Sequence, residues 1–325
     1  MQTFAYETTE NGARILRCFS CDKRVEIPER LEGLIVREIG DYAFSVHFDE
    51  AAFKLGQARG RIRIAQGSFG GDMPLEGEEV EEVILPPSVE KVGAYCFYNC
   101  SNLRLLGFTG SVRDWGQGAF TGCHRVRELD YRIMPGQVSC MKEVLSELHE
   151  QLLVTYRDEG GYARLLFPEY FEEGVENTPA RILMTRVHGS GLYYRNCFDQ
   201  KNFNFAEYDR RFRDAKPVES GAFLADLALG RRMFPYKLAD TARREYDQYL
   251  EEHFKPIVQE LVRRREEESL KWLAGEWKGL EGESTPKHLE VILEEANRAG
   301  MLEMMSFLME LHRRTGRRQR KVFEL

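Results

Sequence analysis

The chain has 325 residues, 42% hydrophobic and 30% charged, with a formal net charge of −7. It is longer than one domain of ordinary size, and its composition is that of a folded protein, which excludes the disordered and membrane-spanning classes. Charge is even along the chain, residues 1–140 carrying −4 and the remainder −3, so nothing draws it globally to nucleic acid.

No run approaches 18 apolar residues, and no membrane association is expected. The first twenty residues carry Glu7, Glu10, Arg14 and Arg17 without an apolar stretch; they read as opening strands rather than a secretory signal. The seven cysteines are an odd number, which fits a reduced, cytoplasmic setting.

Four segments of the first half align: Ile39-Gly40-Asp41-Tyr42-Ala43-Phe44, Ile64-Ala65-Gln66-Gly67-Ser68-Phe69, Val92-Gly93-Ala94-Tyr95-Cys96-Phe97 and Trp115-Gly116-Gln117-Gly118-Ala119-Phe120. Their phenylalanines are separated by 25, 28 and 23 residues, the period of leucine-rich repeats. One coil cannot bury such a ring alone, whereas stacked coils make a continuous apolar column. The stretches around Val80, Val83 and Leu85, and around Leu103 and Leu105, are expected as strands of a parallel sheet.

Val25-Glu26-Ile27-Pro28 with Gly33 to Phe44, Leu85-Pro86-Pro87-Ser88-Val89 with Phe97-Tyr98-Asn99-Cys100-Ser101-Asn102-Leu103, and Ala119-Phe120-Thr121-Gly122-Cys123 together resemble the repeats of BspA-like leucine-rich-repeat proteins. The resemblance covers roughly residues 14–135. It implies a solenoid that binds through its surface and performs no chemistry. The second repeat departs from the pattern, with Arg59, Arg61 and Arg63 near its strand and an acidic insertion, Glu76 to Glu82, read as a solvated loop.

After Pro135-Gly136 the spacing of Met141, Val144, Leu145 and Leu148 is helical. Leu152 to Tyr156 and Tyr162 to Phe167 flank Asp158-Glu159-Gly160-Gly161, a hairpin signal, and such a hairpin would cover the edge of the solenoid. A short helix is predicted near 179–187 and a further element around 191–198. From about 204 the pattern is helical: Asp240 is a predicted N-cap before Ala242, Tyr246, Tyr249 and Leu250, and Thr285-Pro286 is a second start signal. Leu270, Leu273 and Trp277 form one stripe; Leu289, Ile292 and Leu293 form another. An offset of 32 residues between Leu270 and Leu302 weakly resembles degenerate ankyrin-like helix pairs. The expected organisation is thus α+β: a leucine-rich-repeat solenoid over 1–138, a helix and β-hairpin junction over 139–203, and an α-helical, repeat-like domain over 204–325.

Candidate chemistry is sparse. Cys18-x-x-Cys21 offers two thiolates where a tetrahedral metal needs four ligands, and Cys100, Cys123 and His124 belong to the repeat pattern. Ser190 lies in His188-Gly189-Ser190-Gly191, which is not a nucleophile elbow. No phosphate-binding loop or paired-carboxylate signature stands out. We therefore expect no catalysis, no cofactor, no metal and no small-molecule substrate.

The expected function is protein–protein interaction. Its candidate surfaces are the aromatic and basic cluster Tyr193, Tyr194, Arg195, Arg210 and Arg211, which core packing explains better than a groove does, and the basic end of the chain, Arg313, Arg314, Arg317 and Arg318. The alternative is nucleic-acid or acidic-partner binding through that C-terminal segment.

Overall fold

A computed structural model describes residues 2–65, 73–177, 182–279 and 286–322. The chain divides into two units, Met1–Asp214 and Ala215–Leu325.

The first unit opens with β1 (Thr3–Thr9), β2 (Gly12–Phe19), β3 (Arg24–Glu26), β4 (Arg30–Leu31), β5 (Leu34–Ile39), α1 (Glu50–Ala58) and β6 (Ile62–Ala65). It continues through β7 (Glu82–Ile84), β8 (Lys91–Val92), β9 (Leu105–Thr109), β10 (Asp114–Trp115), β11 (Glu128–Arg132), α2 (Met141–Glu147), β12 (Leu152–Asp158) and β13 (Gly161–Phe167). A second hairpin, β14 (Phe171–Asn177) and β15 (Ile182–His188), precedes α3 (Gly191–Arg195), β16 (Phe198–Asp199), β17 (Asn202–Phe203) and α4 (Phe205–Ala215).

Two ladders organise these strands. β3, β7, β9, β11 and β12 pair in parallel, and β13 closes that sheet antiparallel to β12. β2, β5, β8 and β10 form the second parallel run, with β1 antiparallel to β2 and β6 antiparallel to β1. Parallel neighbours require a crossover; here the crossovers pass through the other sheet, except that from β11 to β12, which runs through α2, so the chain winds in coils. Val25, Val83, Leu106, Leu129 and Val154 are successive partners in register and all are buried.

The repeated motif has a reason at each position. Ile39, Val92 and Trp115 pair coil to coil. The glycine that follows is required by close approach: a Cβ on Gly116 would overlap the backbone of Gly93 and Ala94, and one on Gly93 the backbone of Gly40 and Asp41. The phenylalanines stack directly, Phe44 on Phe97 at 5.3 Å and Phe97 on Phe120 at 5.6 Å, each pair within 14° of parallel. Beside them Cys100 Sγ donates to the Phe44 carbonyl and Cys123 Sγ to the Phe97 carbonyl, at 3.2 and 3.0 Å. Cysteine recurs here as a small buried donor that ties one coil to the next.

This column corrects the reading of the second repeat. Phe44 and Phe97 touch, whereas an intervening coil would hold them about 10 Å apart at ordinary strand spacing. Between Phe44 and β7 the described residues instead hold α1 and β6, neither of which is a coil of the parallel winding, and Phe69 lies outside the described residues. Asp49 caps α1 by accepting from Ala52 N at 2.9 Å, β6 turns back onto β1, and Phe53 with Phe48, Ile62 and Ile64 packs against Ala5 and Phe19.

Arg17, only 2% exposed, closes this region. It donates to the Ser45 carbonyl at 2.8 Å, pairs with Glu76 and lies 4.4 Å from the Phe48 ring centre. Burial pulls its guanidinium down to about 10. The acidic stretch is therefore not a solvated loop: Gly77–Glu79 is a 3-10 turn, Glu81 pairs with Lys23, and Glu82 lies in β7 between Arg24 and Arg104.

Two further expectations change. Residues 182–188 form strand β15 and not a helix; residues 179–181 lie outside the described residues. The helical domain was expected from 204, but α4 stays with the first unit because Tyr208 is buried, stacks edge-on with Phe167 and Tyr194, and donates its hydroxyl to the Leu166 carbonyl at 2.7 Å.

The second unit holds α5 (Gly221–Met233), α6 (Asp240–Glu252), α7 (Phe254–Arg264), α8 (Glu267–Gly275), α9 (Pro286–Arg298) and α10 (Leu302–Val322). Ser220 caps α5 through Phe223 N. Ala239, not Asp240, is the N-cap of α6, and Asp240 sits in the first turn, where its charge faces the helix dipole; Thr285 lies outside the described residues. Tyr246, Tyr249 and Leu250 of α6 are buried as their spacing predicts.

The core centres on Trp277, which stacks on Phe254 at 5.5 Å and donates its Nε1 to Asp247 at 2.8 Å; Arg232 Nε donates to the same carboxylate oxygen at 2.6 Å. The 32-residue offset does not carry over into structure. Leu270 is fully buried while its counterpart Leu302 is 74% exposed, and true repeats place equivalent residues in equivalent environments. On α9 the buried stripe runs through His288, Ile292 and Ala296, and Leu293 faces solvent.

Candidate interaction surface

Because side chains alternate across a strand, the parallel ladder that buries Val83, Leu106, Leu129 and Val154 turns the intervening residues outward. In register these make rows across the coils. One row is Arg24, Glu82, Leu105, Glu128, Leu153 and Leu166; the next is Glu26, Ile84, Gly107, Asp130, Thr155 and Arg164; a third is Arg132, Arg157 and Tyr162. Aliphatic and charged groups are thus interleaved on one face. Arg157 pairs with Asp130 across neighbouring strands, a contact that fixes both side chains without withdrawing them from solvent.

Where β11 and β12 end, Arg132, Met134, Arg157, Tyr162 and the Gly160-Gly161 turn line an open depression. Tyr162 and Met134 are 47% and 43% exposed there. Aromatic, methionine and arginine side chains are those that protein interfaces favour. Residue types alone could not reveal this surface. The signal was the alternation in Leu152 to Asp158 and Glu128 to Arg132, legible once each strand is assigned an inner face.

The residues proposed from sequence are distributed differently. Tyr194 is buried, and Arg195 is a buried clamp. Its Nε donates to the Leu148 carbonyl at 2.7 Å, Nη1 to Pro168 at 2.5 Å and Nη2 to Glu150 at 2.6 Å, with the Tyr170 ring 5.1 Å away. Burial pulls it down to about 10, so it stays charged at neutral pH and joins the end of α2 to the end of β13. Those two residues serve packing, which corrects their reading as a surface. Tyr193 is exposed; Arg210 pairs with Glu207, and Arg211 with Glu207 and Asp214. Arg313 pairs with Glu310 within α10. The side chains of Arg314, Arg317 and Arg318 lie outside the described residues.

Five of the seven thiols are in surroundings that suppress nucleophilicity. Burial pushes Cys96 and Cys100 well up, and Cys123, Cys140 and Cys197 up to about 12, which keeps them protonated. Cys18 is buried and Cys21 exposed. Among the described residues, no group of three or more His, Cys, Asp and Glu side chains is placed to hold a metal ion, and no helix is long and apolar enough to cross a membrane.

Residues 63–142 match the family model described as BspA type leucine rich repeat region, six copies, so that stretch is a leucine-rich-repeat region. The coil of β3 to Phe44 precedes the matched stretch and joins it through Ile39 on Val92 and Phe44 on Phe97. A solved leucine rich cell surface protein from Faecalibacterium prausnitzii A2-165 is 17% identical, over 47% of this chain and 40% of its own, with a TM-score of 0.28. A leucine rich repeat protein of T. pallidum is 16% identical, over 48% of this chain and 80% of its own, with a TM-score of 0.22. The chain thus spans less than half of the first of these proteins. No curated protein matches the chain.

Proposed function

We propose that the first unit is a leucine-rich-repeat solenoid acting as a non-catalytic protein-interaction module, with the outward face of the parallel ladder as its docking surface. The observation that carries this is the set of in-register rows, in which Leu105, Leu153, Ile84, Thr155 and Tyr162 alternate with Glu128, Asp130, Arg132 and Arg157 on one continuous face. Such a face offers apolar area for affinity and fixed charges for selection of the partner. The leucine-rich-repeat match supports the reading, since regions of this type generally mediate protein–protein contact. The setting is cytoplasmic in this proposal, as the odd number of cysteines suggests.

The test is affinity capture with the full chain and a charge-swapped variant, Asp130→Arg with Arg157→Asp, which keeps the ion pair and inverts its sense. A partner retained by wild-type protein and by Arg210→Ser, but lost by the swap, supports the reading. A partner held equally by wild type and swap would remove the ladder face as its docking site.

A further inference from the structure

We infer that a second site, on the segments that lead into β7, β9 and β11, binds a phosphoryl group. This inference goes beyond the protein partner proposed above and does not depend on it. Glu81, Asn102, Arg104, Arg125 and Arg127 line an open depression of about 470 Å³ there. The coil register brings them together: Arg104 N donates to the Glu81 carbonyl at 2.8 Å and Arg127 N to the Arg104 carbonyl at 2.9 Å. Arg104 and Arg127 therefore stand on adjacent coils, one strand spacing of about 4.8 Å apart. Arg125 and Asn102 are likewise neighbours, with Arg125 Nη1 donating to Asn102 Oδ1 at 2.8 Å and Asn102 Nδ2 donating to the Glu78 carbonyl at 2.8 Å. That chain of bonds orients Arg125 from behind and, among the described residues, leaves its remaining donors unused.

The charges do not balance. Glu82 is shared between Arg24 and Arg104, and Glu81 pairs with Lys23 at 3.2 Å. Among the described residues, no carboxylate lies within ion-pair distance of Arg125 or Arg127; the only hydrogen bond of the Arg127 guanidinium runs to the carbonyl of its neighbour Val126. Like charges on adjacent strands repel, yet three arginines occupy two coils of a chain whose net charge is −7. An excess of about two positive charges, carried on planar forks, matches a phosphoryl group, which brings about −1.5 to −2 charge and three acceptor oxygens. A single carboxylate would leave the excess half-compensated.

The experiment titrates full-length protein with inorganic phosphate, with a phosphoserine peptide, and with the same peptide carrying glutamate in place of phosphoserine. The variant is Arg125→Ser with Arg127→Ser, both exposed and outside the apolar columns; Arg210→Ser is the control. Saturable binding of phosphate or phosphopeptide, weakened roughly tenfold or more in the double variant and unchanged in the control, is the expected result, as loss of charge-assisted hydrogen bonds requires. Phosphopeptide binding tighter than phosphate assigns the group to a modified protein, and equal affinity assigns it to a free anion. Equal binding of the glutamate peptide, indifference to the double substitution, or no saturable binding overturns the inference. Because no partner is needed, failure here leaves the ladder-face reading standing, and loss of that reading leaves this one testable.

Discussion

The two units solve the same burial problem in different ways. In the first, a few contacts recur: Phe on Phe, Gly against Gly, and thiol to carbonyl repeat from coil to coil. In the second, Trp277, Asp247 and Arg232 make one aperiodic polar anchor inside an aromatic cluster with Phe254 and His288. A recurrent core distributes its stability over many equivalent interfaces, whereas an anchored core concentrates it in a few groups that must all be present.

The sharpest break of that contrast is Phe97→Ala, which removes a ring stacked on both sides and should cost about 3–5 kcal/mol. Denaturant unfolding followed by probes in each unit should show the loss in the first unit, with the second unit's transition unmoved. Asp247→Ala strands Arg232 and the Trp277 indole N–H together and is expected to cost about 3 kcal/mol in the second unit. A loss comparable to that of an ordinary surface substitution would show that the anchor is not needed there. Gly116→Ala drives a methyl group into the backbone of the preceding coil, at an expected cost of about 2 kcal/mol, whereas Gly136→Ala, which meets nothing nearby, should lose only what its positive φ imposes.

A further effect is set by pH. Cys123, Cys140 and Cys197 are raised from 9.0 to about 12 in the folded protein, so the unfolded chain releases their protons first. The stability they contribute is complete below pH 9 and falls between pH 9 and 12, by roughly 1 kcal/mol per thiol per pH unit. Arg17 and Arg195, lowered from 12.5 to about 10, act with the opposite sign, and only above pH 10. Thermal unfolding between pH 8 and 10 should therefore show a falling Tm, and thiol labelling should reach Cys21 well before the buried cysteines.

The same contrast decides what could be read without coordinates. Phe44, Phe97 and Phe120 announced their column because each occurs beside the same glycine and small residues, and periodicity is information carried by sequence alone. Ile64 to Phe69 matches the motif, but a single local match does not record which coil it stacks upon; Phe44 meeting Phe97 directly is a long-range fact. Arg195 could be read as surface or as packing because its partners are backbone carbonyls at Leu148, Glu150 and Pro168, which leave no trace in residue type. Leu270 and Leu302 looked equivalent because helical spacing gives a phase without saying which face is covered. The ladder face fell between these cases: its alternation was visible, but its rows required the register.

The most direct measurement of the docking surface is site-specific photo-crosslinking in host lysate, with the photoreactive side chain at Thr155, in the middle row of the ladder face, or at Arg210 on α4. A single adduct formed from position 155 and absent from position 210 is the expected result. The same adduct from position 210, with none from 155, would contradict the ladder face as the site of recognition.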